Sequence, residues 1–213
     1  MARRELHPKG AIMDGARAVV LTEGVRDATI GAIAAACGAP TGSIYHRFRS
    51  VDELLAKAWM RAIRRAQEEM LRVGAGEVLE TAVLRGLGVY DFCLCNPPDG
   101  LLLSSFRRSD FRSDQLSPEA RDELAHLNDR IDPFFQELAR ALGGPGQMDL
   151  ALLVIRDLPY GAALPHLRDG TRPPRRRRAR LEAALRAALA TAPGGRLRAD
   201  RPREHRWAGA RRR

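Results

Sequence analysis

The sequence predicts an all-α protein in which an N-terminal three-helix domain is joined by a long helix to a C-terminal helical domain. Along nearly every segment, apolar residues recur at intervals of three and four, the period of a helix with one buried face. Alternating Val, Ile and Thr runs, which are typical of strands, are absent, and most Pro and Gly residues fall between the periodic segments. We place the N-terminal domain at residues 1–50, the connecting helix at 51–71, the second domain at 72–195 and a basic tail, expected to be disordered, at 196–213.

The first three helices have the spacing of a helix-turn-helix. The first, amphipathic helix has its apolar face at Ile12, Ala16, Val19 and Val20. Thr29 can cap the second helix through its hydroxyl, and Gly38 can end that helix by adopting the left-handed conformation. A third helix is predicted over 41–48, where Ile44 and Phe48 lie four apart and face inward. Its remaining side chains carry hydroxyl and basic groups, as in a helix that enters the DNA major groove. The candidate DNA contacts are Thr29, Thr41, Gly42, Ser43, Tyr45, His46 and Arg47.

The connecting helix has its own start signal. Ser50 and Glu53 have the spacing of a capping box, in which each side chain satisfies the backbone donor of the other residue. A long apolar stripe follows, formed by Leu54, Leu55, Ala58, Trp59, Ala62, Ile63, Ala66 and Met70. We therefore predict one long helix that leads out of the N-terminal domain.

Together these motifs resemble the TetR family of transcriptional regulators over residues 10–70. The resemblance rests on Ala34-x-x-x-Gly38, Gly42-Ser43-Ile44-Tyr45-His46-x-Phe48 and Ser50-x-x-Glu53-Leu54. Two positions depart from the family pattern: Pro40 stands where a serine often caps the recognition helix, and Val51 where a lysine usually contacts the DNA backbone. Losing a phosphate contact should weaken DNA binding and flatten its salt dependence without abolishing it.

Charge is distributed unevenly along the chain of 213 residues, whose formal net charge is +10. Residues 1–72 have a net charge of +4, residues 73–171 of −6 and residues 172–213 of +12. The mildly basic N-terminal part suits a duplex-binding domain, and the acidic middle should lie away from DNA. The arginine-rich end could add non-specific affinity for phosphates, although a solvated tail is the simpler interpretation. Because neither a transmembrane run nor a signal peptide is recognisable, we expect a cytoplasmic protein without a membrane partner.

The second domain reads as a series of helices. One is predicted from Glu77 to about Asn96 and should end at Pro97-Pro98, and a shorter one should run from Leu101 to Phe111. Ser117 and Pro118 can begin another that extends to Gly143-Gly144, with a kink at Pro133 because proline lacks the N–H.

The last two predicted helices point to a dimer. Residues 148–167 are apolar on more than one face, so this helix must be buried on several sides. Residues 180–192 carry a stripe of small and apolar residues that permits close packing. The resemblance implies that these helices form a four-helix bundle with the same pair of a second subunit. The expected interface residues are Leu152, Ile155, Leu158, Tyr160, Leu164, Leu181, Leu185 and Leu189. The alternative is that both helices only complete the core of a monomer.

The resemblance further implies a regulator that a small apolar or amphipathic effector releases from a pseudo-palindromic, double-stranded DNA operator. Repression is the family's usual mode. The residues on the helices that line the family's pocket are Trp59, Tyr90, Phe92, Cys93, Phe106, Phe134 and Phe135, although plain core positions would have the same character.

Three other functions remain open. The helix-turn-helix could be degenerate, which would leave a helical protein-interaction module. A redox-sensing regulator could use Cys93 and Cys95, although residues two apart on a helix point in different directions and make a poor disulfide or metal pair. Enzymatic activity is disfavoured because neither a nucleophile–base arrangement nor a phosphate-binding glycine loop is recognisable, and we expect no cofactor or metal.

Overall fold

The computed structural model describes residues 8–74 and 76–195, and within these ranges it contains helices, turns and no strand. The prediction of an all-α fold is confirmed. In chain order the helices are α1 (Lys9–Thr22), α2 (Ile30–Cys37), α3 (Thr41–Tyr45), α4 (Val51–Leu71), α5 (Val78–Cys95), α6 (Pro97–Ser105), α7 (Pro118–Ala125), α8 (Asp132–Leu142), α9 (Met148–Leu152), α10 (Leu158–Arg168) and α11 (Arg176–Leu189). A π-helical segment, Leu153–Asp157, joins α9 to α10. The predicted tail, 196–213, lies outside the described residues.

The apolar residues form two cores, and α4 contributes to both. The first core packs α1, α2, α3 and the N-terminal half of α4 together, and it continues into α6, α7 and the segment between them through Leu102, Phe106, Phe111, Leu116 and Leu124. The second core is formed by α5 and by the helices from α8 to α11, and Met70 near the end of α4 belongs to it. The N-terminal helices therefore share one core with part of the second half of the chain.

The helix starts explain why the N-terminal elements lie where the sequence places them. The Thr29 hydroxyl accepts a hydrogen bond from the backbone N–H of Ala32 at 3.2 Å, and Gly38 ends α2 with a φ of 67°, a conformation that glycine adopts without strain. The Ser50 hydroxyl likewise accepts from the backbone N–H of Glu53 at 3.0 Å. The Glu53 half of the predicted capping box is wrong, because that carboxylate turns instead to Ser117 at the start of α7.

The boundaries predicted for the third helix and for the helix at Leu101 to Phe111 differ from the structure. The recognition helix ends at Tyr45, and Phe48 lies in the turn that follows, where it is still buried. Pro97 and Pro98 begin α6 rather than precede a helix that starts at Leu101, because a first-turn N–H has no helical partner to lose. That helix ends at Ser105, and Phe106 is extended.

The long helix predicted after Ser117 is two helices. α7 ends at Ala125 and α8 begins at Asp132, so Pro133 occupies the first turn of α8 and kinks nothing. The final helix begins at Arg176, before the small-residue stripe predicted at 180–192, so the arginines at 176–178 form its first turn. None of the helices within the described ranges combines the length and hydropathy that a bilayer crossing requires.

Candidate nucleic-acid interface and effector cavity

Helix α3 presents polar side chains to solvent while two apolar residues hold it to the domain. Ile44 is fully buried and Phe48 nearly so, which fixes the inner face of the helix-turn-helix. On the outer face Tyr45 is 60 % exposed, although an aromatic side chain of this size is usually buried. Thr41, Gly42 and His46 are exposed beside it, and Thr29 is exposed at the start of α2. All of the predicted contact residues are therefore exposed except two, which are half-buried.

Those two are Ser43 and Arg47, which bind each other. The Arg47 guanidinium donates to the Ser43 hydroxyl at 2.6 Å and to the Ser43 backbone oxygen at 3.1 Å. This arrangement holds the positive charge against the outer face of α3. An arginine fixed by its own helix loses less side-chain entropy on binding than a free one.

The two departures from the family pattern have a structural consequence. Pro40 occupies the N-cap position of α3 and makes no side-chain cap, and Val51 is half-buried against the first core. Neither side chain can donate a hydrogen bond to a phosphate. Lys9 and Arg49 are exposed nearby and make no ion pair with any residue that the structure describes, so positive charge is still available around α3.

Most basic residues of α4 are already paired. Lys57 and Arg64 both bind the Glu123 carboxylate of α7, and Arg61 binds Asp14 of α1 at 2.6 Å. Burial by itself would raise the pKa of Glu123, but the hydrogen bonds and charges of Lys57 and Arg64 bring that pKa below its ordinary value. The first two contacts connect α7 to α4, the third connects α1 to α4, and all three partly neutralise the positive charge of α4.

A buried carboxylate makes a second connection, between α6 and the helices α1 and α4. Asp99, in the first turn of α6, binds Arg17 of α1 and, at 2.9 Å, Arg65 of α4. Its side chain is only 4 % exposed. Sequence reasoning missed this site because no local spacing relates an aspartate to partners 82 and 34 residues away.

Helix α9, the π-helical segment and α10 follow one another without a break over residues 148–168, and we call this unit the rod. A cavity of about 720 Å³ opens between the rod, α4, α5 and the region from α6 to α8. Most of its wall is apolar. It is lined by Trp59, Ile63, Ala66, Gln67, Met70, Val89, Leu103, Arg108, Leu127, Asn128, Ile131, Asp132, Phe135, Gln136, Met148, Leu152, Ile155, Arg156, Asp157 and Tyr160. A volume of this size is within the range of small-molecule sites.

The predicted pocket residues are divided between this cavity and the cores. Trp59 and Phe135 line it. Tyr90, Phe92 and Cys93 belong to the second core instead. Phe106 packs on Phe111 with ring centroids 5.2 Å apart, and the Arg85 guanidinium lies 3.7 Å from the ring centre of Phe134. Sequence reasoning missed Gln67, because a glutamine on an amphipathic helix gives no signal of facing a cavity.

The residues predicted for the dimer interface are also divided. Leu181, Leu185 and Leu189 pack inside the subunit, as does Ile155, so they offer no surface to a second copy. Leu152, Ile155 and Tyr160 line the cavity, and Leu158 and Leu164 are half-buried. The outer faces of the last helices carry different residues, namely Leu153, Gly161, Ala183, Ala184 and Ala187.

The three cysteines are reduced, with Cys37 half-buried, Cys93 buried and Cys95 exposed. Burial raises the pKa of Cys93 to about 12 and also raises the pKa of Cys95. Because the thiolate is the reactive form, neither Cys93 nor Cys95 is activated at neutral pH.

The fold is that of a helix-turn-helix protein: an N-terminal helix-turn-helix with an exposed polar helix α3 is joined through the long helix α4 to a helical domain that contains an apolar cavity. The resemblance to the TetR family is confirmed: residues 12–58 match the model described as bacterial regulatory proteins, tetR family, and the chain as a whole has the fold of TetR-family transcription regulators.

Solved structures show how far this likeness extends. A TetR-family transcription regulator from Marinobacter aquaeolei VT8 is 14 % identical, with a TM-score of 0.69 over 90 % of this chain and 98 % of that one. A transcriptional regulator from Rhodococcus sp. RHA1 is 16 % identical, with a TM-score of 0.64 over 86 % and 97 %. The multidrug binding protein EbrR, solved with imidazole, is 17 % identical, with a TM-score of 0.50 over 84 % and 93 %. No curated protein sequence matches the chain significantly.

Proposed function

We propose that this protein is a transcriptional repressor that binds a pseudo-palindromic operator as a homodimer and is released by a small molecule. The observation that carries the proposal is the TetR-type segment at residues 12–58, whose recognition helix exposes Tyr45 and His46 above a buried Ile44 anchor. Such a protein would act in the cytoplasm, where the operator DNA lies.

Dimerisation would give the DNA contacts their geometry. Two recognition helices related by a two-fold axis read half-sites about 34–36 Å apart, one turn of the duplex, or a multiple of that distance. The outer faces of the π-helical segment and of α11 suit such an interface, because Leu153 is 38 % exposed and the exposed alanines of α11 permit close helix approach. The proposal therefore moves the α11 contacts from the buried leucines to Ala183, Ala184 and Ala187.

The switch is proposed to work through α4. This helix lines the cavity with Trp59 and Gln67, and it binds α1 through the Arg61–Asp14 pair and α6 through the Arg65–Asp99 pair. A molecule in the cavity shifts the DNA-binding geometry only to the extent that it binds one position of α4 better than the other. DNA and effector affinities must then be reciprocally coupled.

Two alternatives make different predictions. A degenerate helix-turn-helix would bind no specific duplex, and the absence of a side-chain cap at Pro40 is the observation in its favour. A redox sensor would need an activated thiol, whereas burial raises the pKa values of Cys93 and Cys95.

The test is selection of duplexes from a random DNA pool by the full chain at physiological salt, followed by affinity measurements on the selected site. We expect an inverted repeat, and we expect Tyr45→Ala to weaken binding to it by about 1–3 kcal/mol, the usual cost of losing a base contact.

The matched control compares His46 with His126, the two exposed histidines within residues 8–74 and 76–195. His46→Ala should weaken operator binding, while His126→Ala, at the end of α7, should leave it unchanged. Selection of no common sequence, with only salt-sensitive bulk binding, would refute the operator proposal and favour the degenerate helix-turn-helix.

A further inference from the structure

The polar group inside the cavity indicates which chemistry its ligand carries. We infer that the effector is a neutral, largely apolar molecule with one hydroxyl group, and that this hydroxyl donates a hydrogen bond to the side-chain oxygen of Gln67. This inference rests on the proposed effector role of the cavity, but it makes a separate prediction about binding.

Gln67 is the one buried polar side chain among the described residues that line the cavity, with 6 % of its surface exposed. Its amide nitrogen donates to the backbone oxygen of Leu127 at 3.1 Å and to the Asn128 side-chain oxygen at 3.2 Å. Both amide protons are therefore used. Reversing the amide would bring its oxygen against two acceptors, so the orientation is determined by these neighbours.

The Gln67 side-chain oxygen is left as an acceptor. It accepts no hydrogen bond from any residue that the structure describes, and it is not among the side-chain atoms sealed from solvent without a partner. An acceptor on a buried side chain that faces an apolar cavity gains most from a ligand O–H or N–H.

Asn128 is an exposed residue that also lines the cavity, and it provides a hydrogen-bond donor. Because its side-chain oxygen accepts from Gln67, its amide nitrogen is oriented away from Gln67 and donates to no described residue. An acceptor and a donor therefore lie on one wall of the cavity. A hydroxyl group, which can donate one hydrogen bond and accept others, is chemically matched to either of them.

The charges around the cavity disfavour an anionic ligand. Four charged side chains line it, Arg108 and Arg156 against Asp132 and Asp157, and Arg156 is already paired with Asp157 at 2.6 Å. A carboxylate would find no net positive charge to offset its desolvation, and its oxygens would oppose the Gln67 acceptor. The rest of the cavity wall, which includes Trp59 and Ile155, is mainly apolar and suits the hydrocarbon part of such a ligand.

The experiment compares three probes of one chain length on the full-length protein: 1-decanol, methyl decyl ether and decanoate at pH 7.5. Binding is followed by the fluorescence of Trp59 in a Trp207→Phe background, since these are the two tryptophans of the chain. We expect 1-decanol to bind about three- to tenfold more tightly than the ether, the effect of one hydrogen bond, and decanoate to bind most weakly.

Gln67→Met should abolish the preference for the alcohol over the ether, because it removes the acceptor and keeps the side-chain length. Gln136→Met is the matched control, since Gln136 lines the same cavity but is exposed and makes no side-chain hydrogen bond to a described residue. If Gln67→Met does not fold, Asn128→Leu, at an exposed position, should reduce the same preference.

Equal affinity for alcohol and ether, tightest binding of decanoate, or a preference that survives Gln67→Met would each overturn the inference, as would failure of all three probes to bind. Duplex selection on the same preparation separates this from the proposed function. Operator binding without probe binding would contradict only the inference about the ligand. Probe binding without operator binding would contradict only the proposed regulator function.

Discussion

At the scale of single residues, Asp99 connects α6 to the N-terminal helix α1 and to the long helix α4. Its carboxylate lies at the start of α6, is shielded from solvent and binds arginines of both α1 and α4. A buried carboxylate with two guanidinium partners is stable in place, but removing its charge leaves Arg65 without its counter-ion and leaves Arg17 paired only with the half-exposed Asp14. Arg65 is nearly half exposed, so water compensates part of that loss.

We therefore expect Asp99→Asn to lower the free energy of unfolding by about 1–3 kcal/mol, at the lower end of the cost of breaking a buried ion pair. For a chain of this size each kcal/mol shifts the melting temperature by about 2–4 °C, which thermal unfolding followed by circular dichroism would detect.

The control for that substitution is Asp129→Asn, an exposed aspartate between α7 and α8 whose side chain makes no hydrogen bond or ion pair with described residues. It should melt as the unaltered protein does. Equal melting temperatures for Asp99→Asn and the unaltered protein would show that the bridge contributes nothing to stability.

At the scale of elements, the crossing of α5 over the π-helical segment depends on one glycine. A Cβ at Gly86 would lie 2.7 Å from the Val154 backbone oxygen and 3.1 Å from Leu185 Cδ1. Backbone cannot yield as a flexible side chain can, so α5 and the rod of α9 and α10 approach this closely only because the residue is glycine.

Gly86→Ala should consequently destabilise the protein by about 1–3 kcal/mol through overpacking, although alanine is the better helix former. Gly88→Ala lies two residues further along α5, where a Cβ would meet nothing closer than 3.8 Å, and it should be neutral or stabilising by up to about 1 kcal/mol. Chemical denaturation of both variants gives the comparison, and equal stabilities would contradict the close-packing argument.

At the scale of the whole molecule, the two cores do not coincide with the predicted domains. The first core extends from the helix-turn-helix into α6 and α7, and α4 runs through both cores. The predicted boundary at residue 72 coincides with the end of α4, but it does not separate the two cores, because α4 contributes residues to both. A movement of α4 must therefore alter contacts in both cores.

The homodimer is tested at this scale. We expect the full chain to sediment as a dimer and Leu153→Glu, on the outer face of the rod, to sediment as a monomer of unchanged helicity, because a charge there would be buried in the interface without a partner. Val25→Glu is the matched control, since Val25 is similarly exposed on the N-terminal domain and should leave the dimer intact. A monomeric unaltered protein would refute the proposed interface.

The parts of this protein that the sequence alone determined are those that depend on near neighbours in the chain. The Thr29 and Ser50 caps, the left-handed Gly38 and the inward Ile44 and Phe48 are set within four residues of each other, so spacing and propensity suffice to predict them. Long-range packing decided the rest. The Glu53 carboxylate binds Ser117 instead of capping its own helix. Leu181 and Leu185 are buried in the core of the subunit, and Gln67 lines a cavity. An amphipathic pattern states that a helix face is buried, but only the tertiary structure decides against what, because partners brought together from distant parts of the chain leave no common period in the sequence.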